Sequence, residues 1–384
     1  MKLLKKWPLI VALVGGTCTL AVGLFYLLAV YSNVLPVFLR QPAPPPARTQ
    51  SREAQWTADL DYYAAQMKRL HADPFHRISE VEFDETLTAI KQQINDMSDQ
   101  QISMQIIRLT AAIGDGHTQA LPAETLTFHF YPIFPYWFDD GIYILRAAPD
   151  YSDLVGSRLL AINGMPVEEV AARVSPYVSH DNQSALKYQI WKFLISPEFL
   201  QAADVLAVGQ METFLTLINE QGETFEKSIS PLTDMDYSTL LLSNDILNRM
   251  YYRAERNNEP YWFEYLSDSK ILYIQYNRCE QNKNLAMDYF AEQVAEAIKS
   301  QPAEKLIVDL RRNGGGDSSV ISPLLKTISA SRLNAPGKLY VLVGTETFSS
   351  AILNTVDFAQ QTQALFAGSV PAGKIGRASC RERV

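Results

Sequence analysis

The spacing of apolar positions changes character along this chain. From about Arg52 to Ile113 it is helical: Ile102, Ile106, Leu109 and Ile113 recur at three- and four-residue intervals. Ser79-x-x-Glu82 and Ser98-x-x-Gln101 have the form of capping boxes, which predict helix starts. From Leu126 the pattern shifts to aromatic and β-branched runs. Tyr136-Trp137-Phe138, Asp139-Asp140-Gly141 and Ile142-Tyr143-Ile144-Leu145 predict a hairpin with Asp-Gly at its turn. Leu159 to Gly164 followed by Val167 to Val170 predicts a strand, a turn and a helix start. The stretch from Ser175 to Asn257 is mixed and yields no assignable elements.

The last third alternates between the two periods. Ile271 to Tyr276 predicts a strand and Asn284 to Ser300 an amphipathic helix. Leu306 to Leu310 is a continuous apolar run of the kind that forms a buried parallel strand. A helix is expected after Gly314-Gly315-Gly316, then a strand from Leu339 to Val343 and a helix from about Ser350 to Gln361. The expected fold class is therefore α/β, with a sheet covered by helices.

The two ends add domain organisation. Lys2, Lys5 and Lys6 precede an uncharged, mainly apolar stretch from Trp7 to Leu39. A bilayer needs about 20 apolar residues, so residues 1–40 are expected to form a membrane signal anchor. The clustered lysines favour a cytoplasmic N-terminus and an extracytoplasmic remainder. The competing reading is a cleaved signal peptide, which also exports the chain. Residues 41–51 contain four prolines and read as an extended linker. Cys279 is the one cysteine in the expected soluble part, so an intrachain disulfide is not expected there. Residues 375–384 read IGRASCRERV. That string matches an in-frame translation of a common short-read sequencing adapter, so the α/β core is expected to be truncated near Lys374.

With 384 residues, 47% of them hydrophobic, the chain can bury a large core. Its net charge of −8 argues against nucleic acid as a partner. No cofactor and no metal are expected.

Three loops at element boundaries could carry chemistry. Ile113-Gly114-Asp115-Gly116-His117-Thr118 follows a helix, and its glycines would let a tight turn aim His117 as a general base. The alternative is a helix C-cap with an incidental histidine. His71, His76, His129 and His180 lack such a frame and are assigned structural or surface roles. Asp309 to Asp317 ends a buried strand in three glycines, whose N–H groups could hold an oxyanion; otherwise it is an ordinary βα turn. Gly344 to Ala351 places Ser349 between a strand and a helix, as a nucleophile or simply as a helix N-cap. Ser267-Asp268-Ser269-Lys270 matches S-x-x-K but precedes a strand, and is assigned to a turn.

GDGHT, DLRRNGGG and TFSSA, in that order, resemble the tricorn-type and C-terminal-processing serine peptidases over about Ala54 to Lys374. The resemblance implies a crotonase/Clp-like α/β spiral core with a PDZ-like module, which the segment near Leu159 to Val170 could supply. It implies Ser349 as nucleophile, His117 as base, and backbone N–H groups of Gly315 and Ser350 as the oxyanion hole. The family position three residues after the serine is often acidic; here it is Ile352. The C-terminal-processing branch instead uses a lysine in a G-x-x-x-x-G-K segment, which Gly368 to Lys374 fits, making Lys374 the alternative base. That branch also expects a later orienting glutamate. The implied domains are a helical part at 52–120, a β-rich part at 121–260 and a catalytic core at 261–374. The implied activity is hydrolysis of exported polypeptides. The alternatives are a silent peptide-binding relative and a hydrolase of another ester or amide.

Overall fold

The computed structural model describes residues 42–48, 51–121, 126–232, 240–242 and 252–373. The expected anchor, Lys374 and the adapter-like tail lie outside the described residues. Among the described residues no helix is long and apolar enough to cross a membrane. The chain divides between Pro74 and Phe75 into two compact units. The helical stretch at 52–120 is therefore shared between them.

In the first unit, α1 (Arg52–Leu70) starts at Ser51, whose side chain accepts the Ala54 N–H. The proline-rich segment is tied to this helix: Tyr62 Oη donates to the Ala43 carbonyl at 2.6 Å, and Gln66 Oε1 accepts the Ala43 N–H at 3.1 Å.

The second unit opens with α2 (Glu80–Gln92) and α3 (Asp99–Ala112), both begun by closed capping boxes at Ser79 and Ser98. A mainly antiparallel sheet follows. It contains β1 (Ile133–Phe138), β2 (Gly141–Ala147), β3 (Arg158–Ile162), β4 (Met165–Pro166), β5 (Thr213–Ile218), β6 (Thr224–Ile229) and β7 (Leu241–Leu242). The order is β1-β2-β3-β5-β6, with β4 on β3 and β7 on β2. Phe138 pairs with Gly141, so the hairpin turns on Asp139-Asp140, one residue earlier than expected. Gly141 instead leaves space for the Arg158 side chain, which a Cβ there would strike. Asn163 (φ +53°) and Gly164 (φ +77°) form the next turn, the pair of positive angles a type I′ hairpin requires. α4 (Val167–Val174) begins where a helix start was expected, and the unassigned stretch after it holds three short α-helices, α5 (Gln183–Gln189), α6 (Trp191–Leu194) and α7 (Pro197–Ala202), besides β5, β6 and β7.

The second sheet runs β12-β11-β10-β9-β8 and alternates with helices in sequence. Its members are β8 (Tyr261–Leu266), β9 (Ile271–Tyr276), α8 (Met287–Ser300), β10 (Lys305–Asp309), α9 (Ser322–Ser329), β11 (Leu339–Val343), α10 (Ser350–Gln361) and β12 (Leu365–Gly368). The pairs β9–β10, β10–β11 and β11–β12 are parallel, and β8–β9 is antiparallel. Leu306, Val308, Leu339 and Val341 join Phe290, Val294, Leu324 and Ile328 in one core. Each such side chain, fully buried, contributes about 1.5–3 kcal/mol. Burial alternates along β11, and Ile307, Tyr340 and Leu342 keep partial exposure. One sheet face is thus covered more fully than the other, which departs from the expectation of a covered sheet. Successive parallel strands added in one direction by crossovers of one hand keep their helices on one side.

Candidate functional site

The carboxyl ends of β10 and β11 bring the glycine loop and the serine turn together. Asp309 ends β10 almost wholly buried, and Arg311 grips it through Nε and Nη2, the latter at 2.6 Å. Tyr273 Oη donates to the same carboxylate at 2.6 Å. The Asp309 bonds hold the Arg311 guanidinium proton above its usual range, despite burial. This anchor fixes where the chain leaves the sheet.

Asn313, fully buried, takes over from there. Its Nδ2 donates to the Tyr276 carbonyl at 3.0 Å, its Oδ1 accepts the Gly315 N–H at 2.9 Å, and its carbonyl accepts the Phe348 N–H at 3.0 Å. Cys279 Sγ lies 3.4 Å from Asn313 Oδ1 and 3.2 Å from Asn354 Oδ1. Burial pushes this thiol up to about 11. The glycines do not open a helix: Gly316 bridges to Cys279, and α9 begins only at Ser322. The expectation of a helix N-terminus at the glycines is corrected accordingly. The Gly315 N–H is directed by the Asn313 side chain instead of by a helix.

The serine turn is stitched from below. Thr347 Oγ1, fully buried, donates to the Leu310 carbonyl at 2.8 Å and accepts the Gly344 N–H at 2.9 Å. Ser349 then adopts φ +52°, ψ −127°. For a non-glycine residue such a conformation costs on the order of 1–3 kcal/mol and persists only where its surroundings over-determine it. Its side chain makes no cap bond to α10, so the N-cap role has no hydrogen bond behind it. Ser350 follows as the first helical residue, where an N–H has no intrahelical acceptor. Its hydroxyl donates to the Gly316 carbonyl. A Cβ on Gly315 (φ +110°) would sit 2.6 Å from Ser349 Cβ and 3.0 Å from Ser350 N, so only glycine allows this approach.

Phe348 joins the remaining segments. The His117 ring stacks on it with centroids 4.4 Å apart and planes at 20°. A Cβ on Gly116 would lie 3.2 Å from the same ring. The GDGHT turn is held internally by Asp115, which is buried: Oδ1 accepts the His117 N–H at 3.0 Å, and Oδ2 accepts from Thr118 Oγ1 at 2.7 Å. His117 Nδ1 is 3.9 Å from Asp115 Oδ1. His76 Nε2 reaches the Gly114 carbonyl at 3.1 Å, so that histidine also touches the turn. On the other side, Ala372 N–H donates to the Thr347 carbonyl at 3.0 Å. A Cβ on Gly373 would meet Ile352 at 2.8 Å and Phe348 at 3.7 Å. Lys374 itself lies outside the described residues.

A phenolic rim adjoins the serine turn. Tyr136 Oη and Thr345 Oγ1 are 3.0 Å apart. Burial raises the Tyr136 phenol, and the charges of Glu346 and Asp139 add to this against the Thr345 hydrogen bond. Burial, with Glu346 second, raises Tyr188 likewise. Both therefore remain neutral donors at ordinary pH. Among the described residues no three His, Cys, Asp or Glu side chains are grouped to hold a metal ion.

The structure thus gathers His117, Gly315, Ser349 and Ser350 around Phe348. Sequence reasoning passed over Phe348, Asn313 and Asp115, although all three stand inside the motifs it selected.

Scans against protein-family models and curated proteins match nothing. Solved structures do match. Mature CPAF complexed with lactacystin is 13% identical, covers 84% of this chain and 85% of its own, and gives a TM-score of 0.57. A CPAF s499a mutant gives 0.58 at 12% identity, covering 84% of each chain. The photosystem II D1 C-terminal processing protease aligns over 84% and 83% at 13% identity, with a TM-score of 0.36. These neighbours are serine peptidases. At such identities, the likeness to CPAF establishes a shared mixed α/β fold with two sheets.

Proposed function

We propose that the protein is a serine peptidase in which Ser349 is the nucleophile. The observation that carries this is the backbone of Ser349, strained at φ +52° at a strand-to-helix junction while its hydroxyl caps nothing. Helix capping needs no such strain, whereas presenting a nucleophile gives it a purpose. The fold shared with CPAF supports the same reading.

In this reading Ser349 Oγ attacks the scissile carbonyl carbon and passes its proton to the His117 imidazole. The tetrahedral oxyanion is held by the Ser350 N–H and the Gly315 N–H. The latter is engaged by Asn313 Oδ1 in this structure. An oxyanion is the stronger acceptor, since charge-assisted hydrogen bonds are about twice as strong as neutral ones. Collapse expels the amine, which takes the proton from His117, and water then releases the acyl group by the same route. Asp115 would steady the imidazole.

Lys374 is the second candidate base. The packing of Gly373 against Phe348 and Ile352 favours it, because that segment abuts the serine turn. The crotonase/Clp-like spiral, the PDZ-like role of the segment from Leu159 to Val170, and membrane-anchored, extracytoplasmic action on exported polypeptides belong to the same proposal.

The test is turnover by the full chain of an unstructured polypeptide and of a simple ester. Peptide cleavage lost in Ser349→Ala supports the proposal. Ester turnover alone would favour a different hydrolase, and peptide binding without turnover a silent relative.

A further inference from the structure

The contacts that aim the GDGHT turn come from an unexpected place, the segment His180-Asp181-Asn182 just before α5. Asp181 Oδ1 accepts the Gly116 N–H at 2.9 Å, across 65 positions of sequence. Arg77 holds the backbone at Asp181. Arg77 Nη2 donates to its carbonyl, and Arg77 Nη1 to that of His180 at 3.4 Å. The Arg77 side chain fills the space that a Cβ on Gly114 would need. The next residue, Asn182, caps α5 by accepting the Ala185 N–H at 2.9 Å and donates from Nδ2 to the Pro371 carbonyl at 3.0 Å. One short segment therefore fixes the turn before His117 and the loop that packs beside the serine.

We propose that Asp181 is a positioning residue for His117. This rests on the peptidase reading above. The Gly116 peptide is the link between Asp181 and the imidazole: its N–H is bound by the carboxylate, its Cα faces the Phe348 ring, and the next side chain stacks on that ring. Without the acceptor the peptide plane is free to rotate. The imidazole then shifts relative to Ser349, while substrate contacts elsewhere stay as they are. The role needs an acceptor oxygen at that position and not a negative charge.

The test is the saturation kinetics of Ser349 phosphonylation by a fluorophosphonate, in which Oγ forms a bond to phosphorus and fluoride leaves, measured on the full chain by intact mass. Asp181→Ala is expected to lower the limiting phosphonylation rate by about ten- to a hundredfold, the scale of a misplacement near 1 Å. Its half-saturating concentration should stay within about twofold, and its thermal midpoint should remain well above the assay temperature. Asp181→Asn keeps the acceptor and should restore the rate to within about threefold of wild type. If Asp181→Ala does not fold, Asp181→Glu, whose carboxylate sits one methylene further out, should fold and be phosphonylated slowly. A wild-type limiting rate in Asp181→Ala or Asp181→Glu overturns the inference. So does Asp181→Asn being as slow as Asp181→Ala. Wild-type protein that takes no label at Ser349 overturns the peptidase reading and this inference with it, an outcome distinct from failure of the variants alone.

Discussion

Replacing Gly315 by alanine tests whether the glycine loop must touch the serine turn. The new Cβ would lie 2.6 Å from Ser349 Cβ, 3.0 Å from Ser350 N and 3.1 Å from the Phe348 carbonyl oxygen. Reaching the 3.4 Å of ordinary contact with Ser349 requires an opening of about 0.8 Å. Two of the three neighbours are backbone atoms, which cannot swing aside as a side chain could. The φ of +110° adds strain for any residue with a Cβ. Together these should cost on the order of 1–3 kcal/mol of stability. The kinetic effect should be larger, because the displaced atoms are the proposed nucleophile and both oxyanion donors. A shift near 1 Å corresponds to about a hundredfold in rate, so a ten- to hundredfold loss in the rate of phosphonylation by a fluorophosphonate is expected. Gly314 supplies the control: a Cβ there meets nothing within 4 Å. Gly314→Ala should be phosphonylated within about twofold of the wild-type rate. The reasoning is refuted if Gly315→Ala is phosphonylated at the wild-type rate, or if Gly314→Ala loses as much.

Three further outcomes are expected. Ser349→Gly removes the strained side chain, and should raise the thermal midpoint by about 2–4 °C per kcal/mol released while abolishing labelling by the fluorophosphonate; a lowered midpoint would show that the conformation carries no strain. Thr347→Val leaves the Gly344 N–H without its partner and removes one of the two donors to the Leu310 carbonyl, which keeps the Asn313 N–H at 3.0 Å, and should cost about 1–3 kcal/mol in urea unfolding; an unchanged midpoint would contradict the stitched turn. Cys279 makes stability depend on alkaline pH, because burial raises its thiol from 9.0 to about 11. Below pH 9 folded and unfolded chains both hold the proton, so this stabilisation is fully present. As pH rises through about 11 the unfolded chain has already lost its proton, and on the order of 2–3 kcal/mol disappears. Cys279→Ala should lack this part of the alkaline slope between about pH 9 and pH 11, whereas parallel curves would rule it out.

The α/β core was legible because its signals are local. Leu306 to Leu310 is apolar without interruption, and α10 covers the span its pattern predicts, from Ser350 to Gln361. The three loops that converge on Phe348 were visible as Gly-, Ser- and His-bearing boundaries. What the chain concealed is long-range. Asp181 and Asn182 act across 65 and 189 positions, from a stretch whose helices of four to seven residues are too short to show a period. Asn313 stood inside a chosen motif, yet its importance lies in hydrogen bonds to two other segments, at Tyr276–Cys279 and at Phe348, which spacing does not encode. The glycines were read as a helix start because β10 and a later helix flank them; the Gly316 bridge to Cys279 could be found only in three dimensions.

The central claim is that Ser349 is a nucleophile. Its most direct measurement is peptide mapping of the full chain after reaction with a fluorophosphonate. The account predicts one covalent adduct, on Ser349, absent when the chain is denatured before the reaction and absent in Ser349→Ala. An adduct on Ser350, or a folded chain that takes no label, would contradict it.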